Sequence, residues 1–524
     1  LTTTDLEAKK KEPDQSGRET AAKLSRDSAS VLARIAAWFD SRFGLSYPFL
    51  RDAPEYSINP FYWLGALTVV AFVIQGITGI MMMLYYVPSP SQAYSSTLFI
   101  FQSVSYGRFL QTVHLYTAYA MIMLAFMHMM RGYFVSVYKK PREAMWIIGM
   151  IMGFVTLGFG FTGYLLPWTV VSKSATDVGV GMISALPQPL SSFLKFLVVG
   201  AAGDAGVLLR FYDLHVVVLP AILLLLLATK MYMLEAHGVS EPMGGLESLP
   251  KKKRALIPIF PDVTFYLVEL AAFFGSAMLL ISALFPLTLP PQYTPQLAAQ
   301  YTSQPDWYFL WIYQILKFKV FETAGLPVAL SLITLIFIVL VLLPFIDRGE
   351  ERRIGKRMKF VTLGAIFVAE VITLSVWGEL TPGQVIPNEQ GVLVLGGVAL
   401  LVTLTSVALY RLISRAAGLR GKKMATTTPE TPPQPLSKSA SVWTAASFSI
   451  LLGLATFTFG GTINSLVGYT VDRGSYSLIT SSVLYVAGLC ISLFGIAYFL
   501  YRLELGSGRL KRRIKAFEAG WNGN

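Results

Sequence analysis

Cysteine is almost missing from this chain. The one residue, Cys490, stands alone in an apolar run, which excludes a disulfide, a Cys-ligated zinc site, an iron–sulfur cluster and C-x-x-C-H haem attachment within the chain. Charge is thin, at 14%, against 54% hydrophobic residues and a mean hydropathy of +0.56. That balance excludes a string of soluble domains and indicates a polytopic membrane protein. Acidic residues are the scarcer sign, leaving a net charge of +13. The basic residues sit in blocks between apolar spans and not on one amphipathic face, so they read as topology signals, with no nucleic-acid surface. The first thirty residues lack an apolar core and a small-residue cleavage pattern, and read as a polar tail and not a signal peptide.

What the chain has in abundance is apolar runs of about 20 residues, the length that crosses a bilayer as helix. Backbone groups in lipid must pair within their own segment, so the expected fold is all-α, a polytopic transmembrane helical bundle. Hydropathy predicts ten spans, at about 61–86, 109–137, 144–167, 207–236, 263–285, 326–347, 359–378, 391–413, 441–465 and 477–502. Basic stretches such as "KKPRE", "DRGEERRIGKR" and "RLKRRIK" follow every second span, while the alternate loops carry little Lys or Arg. Both termini and the basic loops are therefore expected in the cytoplasm. Two long loops, about 168–206 and 286–325, face the other side and are candidates for function. A Pro/Thr/Ser-rich stretch, "MATTTPETPPQPLSKSAS", reads as a flexible linker.

Of only four histidines, His114 and His128 lie fourteen residues apart on the second span. Fourteen helical steps come within about 40° of whole turns, so both imidazoles project from nearly one face, about 21 Å apart along the axis. Taken singly, an intramembrane histidine also fits a hydrogen bond across a bundle or a proton path. The same interval recurs in Gly65 and Gly79 on the first span and in Gly149 and Gly163 on the third. Glycine also serves plain helix packing, but three equal intervals on three consecutive spans fit two planar cofactors stacked across the membrane, with imidazole as axial ligand.

These residues, with "GYLLPW" (Gly163–Trp168), "SKSATDVGVGMISALP", "LLRFYDLH" and "QPDWYFLW" in this order, resemble cytochrome b of the bc1 and b6f complexes, over about Asn59 to Arg357. The relatives they evoke are prokaryotic, of the archaeal type found in Rieske/cytochrome b complexes or quinol oxidase supercomplexes. The resemblance implies an N-terminal four-helix haem-binding bundle with two haems, haem b by default and A-type haem open. The outer haem would lie between His114 and His215, the inner between His128 and a fourth-span residue. That last ligand is a histidine in the family; fifteen places after His215 this chain has Lys230. Three readings of Lys230 stand: a neutral amine on the iron, the form burial favours; an ammonium snorkelling to the headgroups, leaving the iron five-coordinate; or no inner haem at all. Arg131 matches a family arginine serving an inner-haem propionate. At its outer counterpart stands Gln111, with Arg108 one turn further back.

The resemblance also implies a quinol site built from Tyr164 and the Pro305-Asp306-Trp307-Tyr308 turn, in which the carboxylate receives a proton from quinol. The family has glutamate where this chain has the shorter Asp306. A weaker match puts an inner quinone site near His237, Asp262 and Glu269, with Leu267 close to where the family carries its acid. The implied enzyme is a membrane-bound oxidoreductase subunit that oxidises quinol at the outer face, moves electrons across the membrane and releases protons. It would act with a separate Rieske iron–sulfur protein as a homodimer or in a larger complex with terminal oxidase subunits. Two rivals are a haem-carrying anchor of a terminal quinol oxidase supercomplex without complete quinone-cycle chemistry, and a secondary transporter, which predicts broken helices or internal repeats. The resulting division of the chain is a cytoplasmic tail with an amphipathic segment (1–55), the di-haem core (56–240), C-terminal cytochrome b-like helices (241–415), the linker (416–440) and an extra helix pair with a basic tail (441–524).

Overall fold

The computed structural model describes residues 52–424, apart from 201–202, 243–245, 247–248, 250–253, 302–303 and 353–355, together with Trp38 and Arg42; for residues 204, 260, 261 and 413–424 it describes the backbone alone. The expected amphipathic tail segment, both spans beyond 441 and Cys490 lie outside the described residues.

The described chain is almost wholly helical. A two-stranded antiparallel ribbon pairs β1 (Ala53–Pro54) with β2 (Leu256–Ile257). The helices are α1 (Leu64–Met83), α2 (Ala93–Gln102), α3 (Gly107–Val135), α4 (Glu143–Leu165), α5 (Val170–Ser184), α6 (Leu190–Val198), α7 (Gly203–Asp213) and α8 (Leu219–His237). They continue with α9 (Thr264–Leu284), α10 (Pro295–Ala298), α11 (Leu310–Leu316), α12 (Lys319–Ala324), α13 (Leu326–Val341), α14 (Leu343–Ile346), α15 (Met358–Leu380) and α16 (Asn388–Met424). Seven described helices are long and apolar enough to cross a membrane: α1, α3, α4, the rod 205–237, α9, α15 and the 388–412 part of α16. The sixth expected span is α13, shorter at 16 residues and extended by α14.

Two boundaries differ from the sequence reading. α16 runs to Met424 and so takes the start of the expected linker (416–440), whose first residues, "AAGLRGKKM", contain no proline or β-branched run to stop a helix. The two long loops, about 168–206 and 286–325, are themselves largely helical: α5 and α6 fill the first, and α10 to α12 with a 3-10 turn at Trp307–Phe309 fill the second.

The first four spans form a bundle in which α1 packs along α3, α3 against α4, and α4 against α8. Threonines inside these helices return their hydroxyl protons to the carbonyl four residues back, as at Thr68, Thr112 and Thr156, which satisfies those donors in apolar surroundings; Thr117 on α3 is buried with its hydroxyl unpartnered. Pro220 has no N–H to give and its ring crowds the carbonyl of residue 216, and directly before α8 the ladder opens into a π turn, Leu214–Val218. That turn matters for register. Fifteen regular steps from His215 would overshoot four turns by about 60°, but a π turn absorbs one residue without advancing the ladder. Lys230 therefore returns to the face of His215.

The end of α4 is stitched to the second long loop: Val170 N–H donates to the Pro291 carbonyl at 3.0 Å and Tyr293 N–H to that of Trp168 at 3.3 Å. At the other end, Asp347 joins the loop after α3 to the C-terminal helices. It accepts from Lys139 Nζ at 3.0 Å, Tyr138 OH at 2.7 Å and Arg357 Nη2 at 2.5 Å, with all three groups buried.

Candidate functional site

α3 is one continuous helix, so His114 and His128 share a face at two depths, and α8 presents His215 and Lys230 from across the bundle. α1 backs the first pair and α4 the second. A Cβ built on Gly79 would meet His114 Cε1 at 3.4 Å, and one on Gly65 would meet His128 Cε1 at 3.1 Å. On α4, Gly163 lies under His215, 2.5 Å from Cε1 to a notional Cβ, and Gly149 under Lys230, 2.8 Å from Nζ. The fourteen-residue glycine interval thus makes room for the four side chains themselves, a more specific role than the general approach of a flat ring to backbone.

At the outer level the His114 and His215 rings stand 6.4 Å apart between centroids, about the spacing of two imidazoles flanking one metal ion at roughly 2 Å per bond. Two threonines set their protonation. Thr78 and Thr162 give their own hydroxyl protons to the carbonyls of Ile74 (2.7 Å) and Gly158 (2.8 Å), so each oxygen accepts from an imidazole Nδ1–H, His114 at 2.8 Å and His215 at 3.1 Å. Nε2 is left with a free lone pair, the form that binds metal. The sequence reading missed both threonines, although the signal was there: each directly precedes an outer-level glycine, as Thr78-Gly79 and Thr162-Gly163, and neither inner-level glycine has this neighbour.

At the inner level His128 Nδ1 is buried without a partner, and Lys230 turns inward onto Gly149, six residues and about 9 Å inside the start of α4. Its ammonium end does not reach for the headgroups. An orphaned imidazole and an inward amine over two glycines leave a donor set that fits a haem here, as the paired imidazoles do above.

Of the groups expected near propionates, the Arg131 guanidinium lies 4.1 Å over the Tyr62 ring and reaches Ser240 Oγ at 3.4 Å. Gln111 carries a buried Oε1 without a partner, and Arg108 donates to the Leu287 carbonyl at 2.7 Å. Of the weaker group expected to form an inner quinone site, His237 Nδ1–H donates to the Met233 carbonyl at 2.9 Å at the end of α8, Asp262 lies in the π turn before α9, and Glu269 lies within α9.

A second feature is a cavity of about 400 Å³ between α4, α5, α11 and the Pro305–Phe309 turn, within the size range of small-molecule sites. Tyr164, Pro305, Asp306 and Tyr308 all line it. Trp307 does not; it packs edge-on against Tyr119 at 6.2 Å and Tyr308 at 5.5 Å. Asp306 is the wall's carboxylate. Oδ1 accepts from the Tyr119 phenol at 2.8 Å and Oδ2 from Tyr308 at 3.4 Å. Burial pushes this carboxyl above the usual range, and the two phenols pull against that rise without cancelling it. The same turns of α4 serve both features: Gly158, Phe161 and Tyr164 face the cavity, while Phe159, Thr162 and Gly163 touch His215. Only the thickness of one helix, about 10 Å, separates the cavity from the outer imidazole pair.

A family model described as cytochrome b(N-terminal)/b6/petB matches residues 119–298, and one described as cytochrome b(C-terminal)/b6/petD matches residues 296–404. A cytochrome bc complex cytochrome b subunit of Chlorobaculum thiosulfatiphilum is 33% identical over 353 residues, 66% of this chain and 80% of that one. A cytochrome b of Sulfolobus acidocaldarius is 28% identical over 385 residues, 68% of this chain and 67% of that one. Among solved structures, a hyperthermophilic respiratory Complex III chain matches with a TM-score of 0.54 at 21% identity, over 74% of this chain and 96% of that one, which supports the fold. The chain is a multi-pass membrane protein of the cytochrome b family of bc complexes, a family that binds haem.

Proposed function

We propose that this chain is the di-haem subunit of a respiratory bc-type complex that oxidises quinol in the outer-face cavity and carries electrons across the bilayer. The observation behind this reading is the shared segment of α4, with a carboxylate-bearing apolar cavity on one side and a paired-imidazole site on the other. His114 with His215 and His128 with Lys230 would hold the two haems. Bound there, haem supplies one-electron carriers at two depths in the membrane.

The chain's own residues do the rest. Thr78 and Thr162 hold the outer imidazoles with Nε2 free, and Gly65, Gly79, Gly149 and Gly163 give the four ligands room. Lys230, kept from the headgroups by its seat on Gly149, would hold the inner haem as a neutral amine. In the cavity, the aromatic and aliphatic walls exclude water, and Asp306 takes a proton from the quinol hydroxyl. A quinol gives up two electrons, one of which the haem held by His114 and His215 would accept. The second leaves to an acceptor outside this chain, for which a Rieske iron–sulfur protein is the partner we assign. Quinone reduction is assigned to the cytoplasmic ends of α8 and α9, around His237, Asp262 and Glu269, and both termini to the cytoplasm.

Asp306→Asn tests the quinol step. Quinol:acceptor turnover is expected to fall by about 10²–10⁴-fold, the range for loss of a general base, with haem content unchanged. Full turnover in this variant would sink the quinol-oxidising reading and favour a haem-carrying anchor.

A further inference from the structure

Asp306 is a short acid for its position, with its carboxyl one C–C bond nearer the backbone than a glutamate's. Something must compensate. The strong hydrogen bond on this carboxylate comes from outside its own loop: the Tyr119 phenol, on α3, donates to Oδ1 at 2.8 Å, while the Tyr308 contact to Oδ2 is long at 3.4 Å. Tyr119 stands five residues after His114, which turns it about 140° from the histidine face toward the Pro305–Phe309 turn. It is not part of the cavity wall. Its ring is held edge-on by Trp307 at 6.2 Å and lies 6.3 Å from Tyr308. Asp306 thus has the cavity on one side and a fixed phenol on the other.

We infer that Tyr119 is a positioning residue for Asp306: it holds the short carboxylate ionised at the cavity wall and thereby sets the pH range in which Asp306 accepts a proton from quinol. The inference rests on the quinol-oxidising reading. With Oδ1 engaged by a strong donor, Oδ2 is the oxygen with lone pairs to spare for the substrate hydroxyl. The proton passes from quinol oxygen to Oδ2, and Tyr119 keeps its own proton and exchanges no electron. A neutral acid is a weaker acceptor than a carboxylate, so protonation of Asp306 also loosens the tether that held it. The titratable groups facing this carboxylate are phenols from every side: Tyr119 from α3, Tyr164 from α4 and Tyr308 from its own turn, with Tyr301 beyond Tyr164. No described cation acts on it, and Tyr119 is the donor whose removal is felt most.

The test is Tyr119→Phe in the full complex, which keeps the ring and its packing and deletes one hydroxyl. Two readouts are followed against pH: the infrared carbonyl band of the protonated Asp306, assigned by its loss in Asp306→Asn, and the turnover number for quinol oxidation. Loss of a hydrogen bond to a charged group is expected to move the carboxyl titration up by about 1–2 pH units. The acid limb of turnover should move up by the same amount, with turnover preserved at high pH. An unmoved titration overturns the inference. So does a loss of turnover that is equal at every pH, since that is the mark of a merely structural residue. A shifted titration together with full turnover in Asp306→Asn overturns the quinol reading and leaves the Tyr119–Asp306 pairing standing.

Discussion

The packing of His215 on Gly163 gives a prediction whose size follows from the coordinates. A methyl at residue 163 would stand 2.5 Å from His215 Cε1, 3.0 Å from Nδ1 and 3.1 Å from Nε2. Carbon atoms settle at about 3.5–4.0 Å, so the imidazole must retreat by about 1 Å. Retreat pulls Nδ1 off Thr162, now 3.1 Å away, and changes the 6.4 Å spacing from His114. Overpacking of this kind costs about 1–3 kcal/mol, about one to two powers of ten in retention of whatever the two rings hold. Gly79→Ala is the internal control, because its methyl would meet His114 Cε1 at 3.4 Å, an ordinary contact. Pyridine haemochrome spectra with protein quantitation, on subunits purified in parallel, give haem per chain. Gly163→Ala should lose the outer haem while Gly79→Ala keeps it. Equal retention in the two variants, or a greater loss in Gly79→Ala, would refute the assignment of His215 and its glycine seat.

Two further outcomes are expected. Lys230→Ala should change the low-temperature EPR signal of the inner haem, and Lys230→His should give a bis-imidazole signal in its place; an inner signal untouched by Lys230→Ala rules out amine ligation. Asp347→Asn removes the negative charge facing Lys139 and Arg357 and one of the two acceptor oxygens that Lys139, Tyr138 and Arg357 use, and so leaves buried cations without their counter-charge, which should destabilise the protein by about 3–5 kcal/mol and lower its thermal midpoint at neutral pH. Burial works to raise the Asp347 carboxyl, but the hydrogen bonds from Tyr138, Lys139 and Arg357 outweigh it and hold the group below its usual range. Its contribution is therefore present above about pH 4, the unfolded carboxylate value. It is lost as pH falls through the depressed folded value. The wild-type and Asp347→Asn midpoints should converge in acid, and a constant gap down to the lowest accessible pH would count against this account.

Much of the site was legible in one dimension because membrane helices are regular. A fourteen-residue interval is nearly a whole number of turns, so His114 with His128, Gly65 with Gly79 and Gly149 with Gly163 could be put on common faces by arithmetic alone. The same arithmetic turns Lys230 about 60° off the face of His215, since the interval is fifteen. The missing fact was the π turn before Pro220, a local failure of the ladder that spacing rules do not contain. Helical structure inside the two outer loops was also invisible to hydropathy, because α5, α11 and α12 are too short or too polar to register as spans.

The sequence by itself determined that this is a helical membrane protein, which residues share a face on each of its first three spans, and that a carboxylate between aromatics lies in a loop between spans. Those properties follow from transfer free energy and helical period, which are local. Only the tertiary structure decided that Thr78 and Thr162 fix the imidazole tautomers, that Lys230 points into the bundle, that Trp307 stays out of the cavity and that Tyr119 holds Asp306. Each of these is a contact between segments far apart in the chain. Its existence depends on how helices are rotated and stacked, and no periodicity within one helix encodes that.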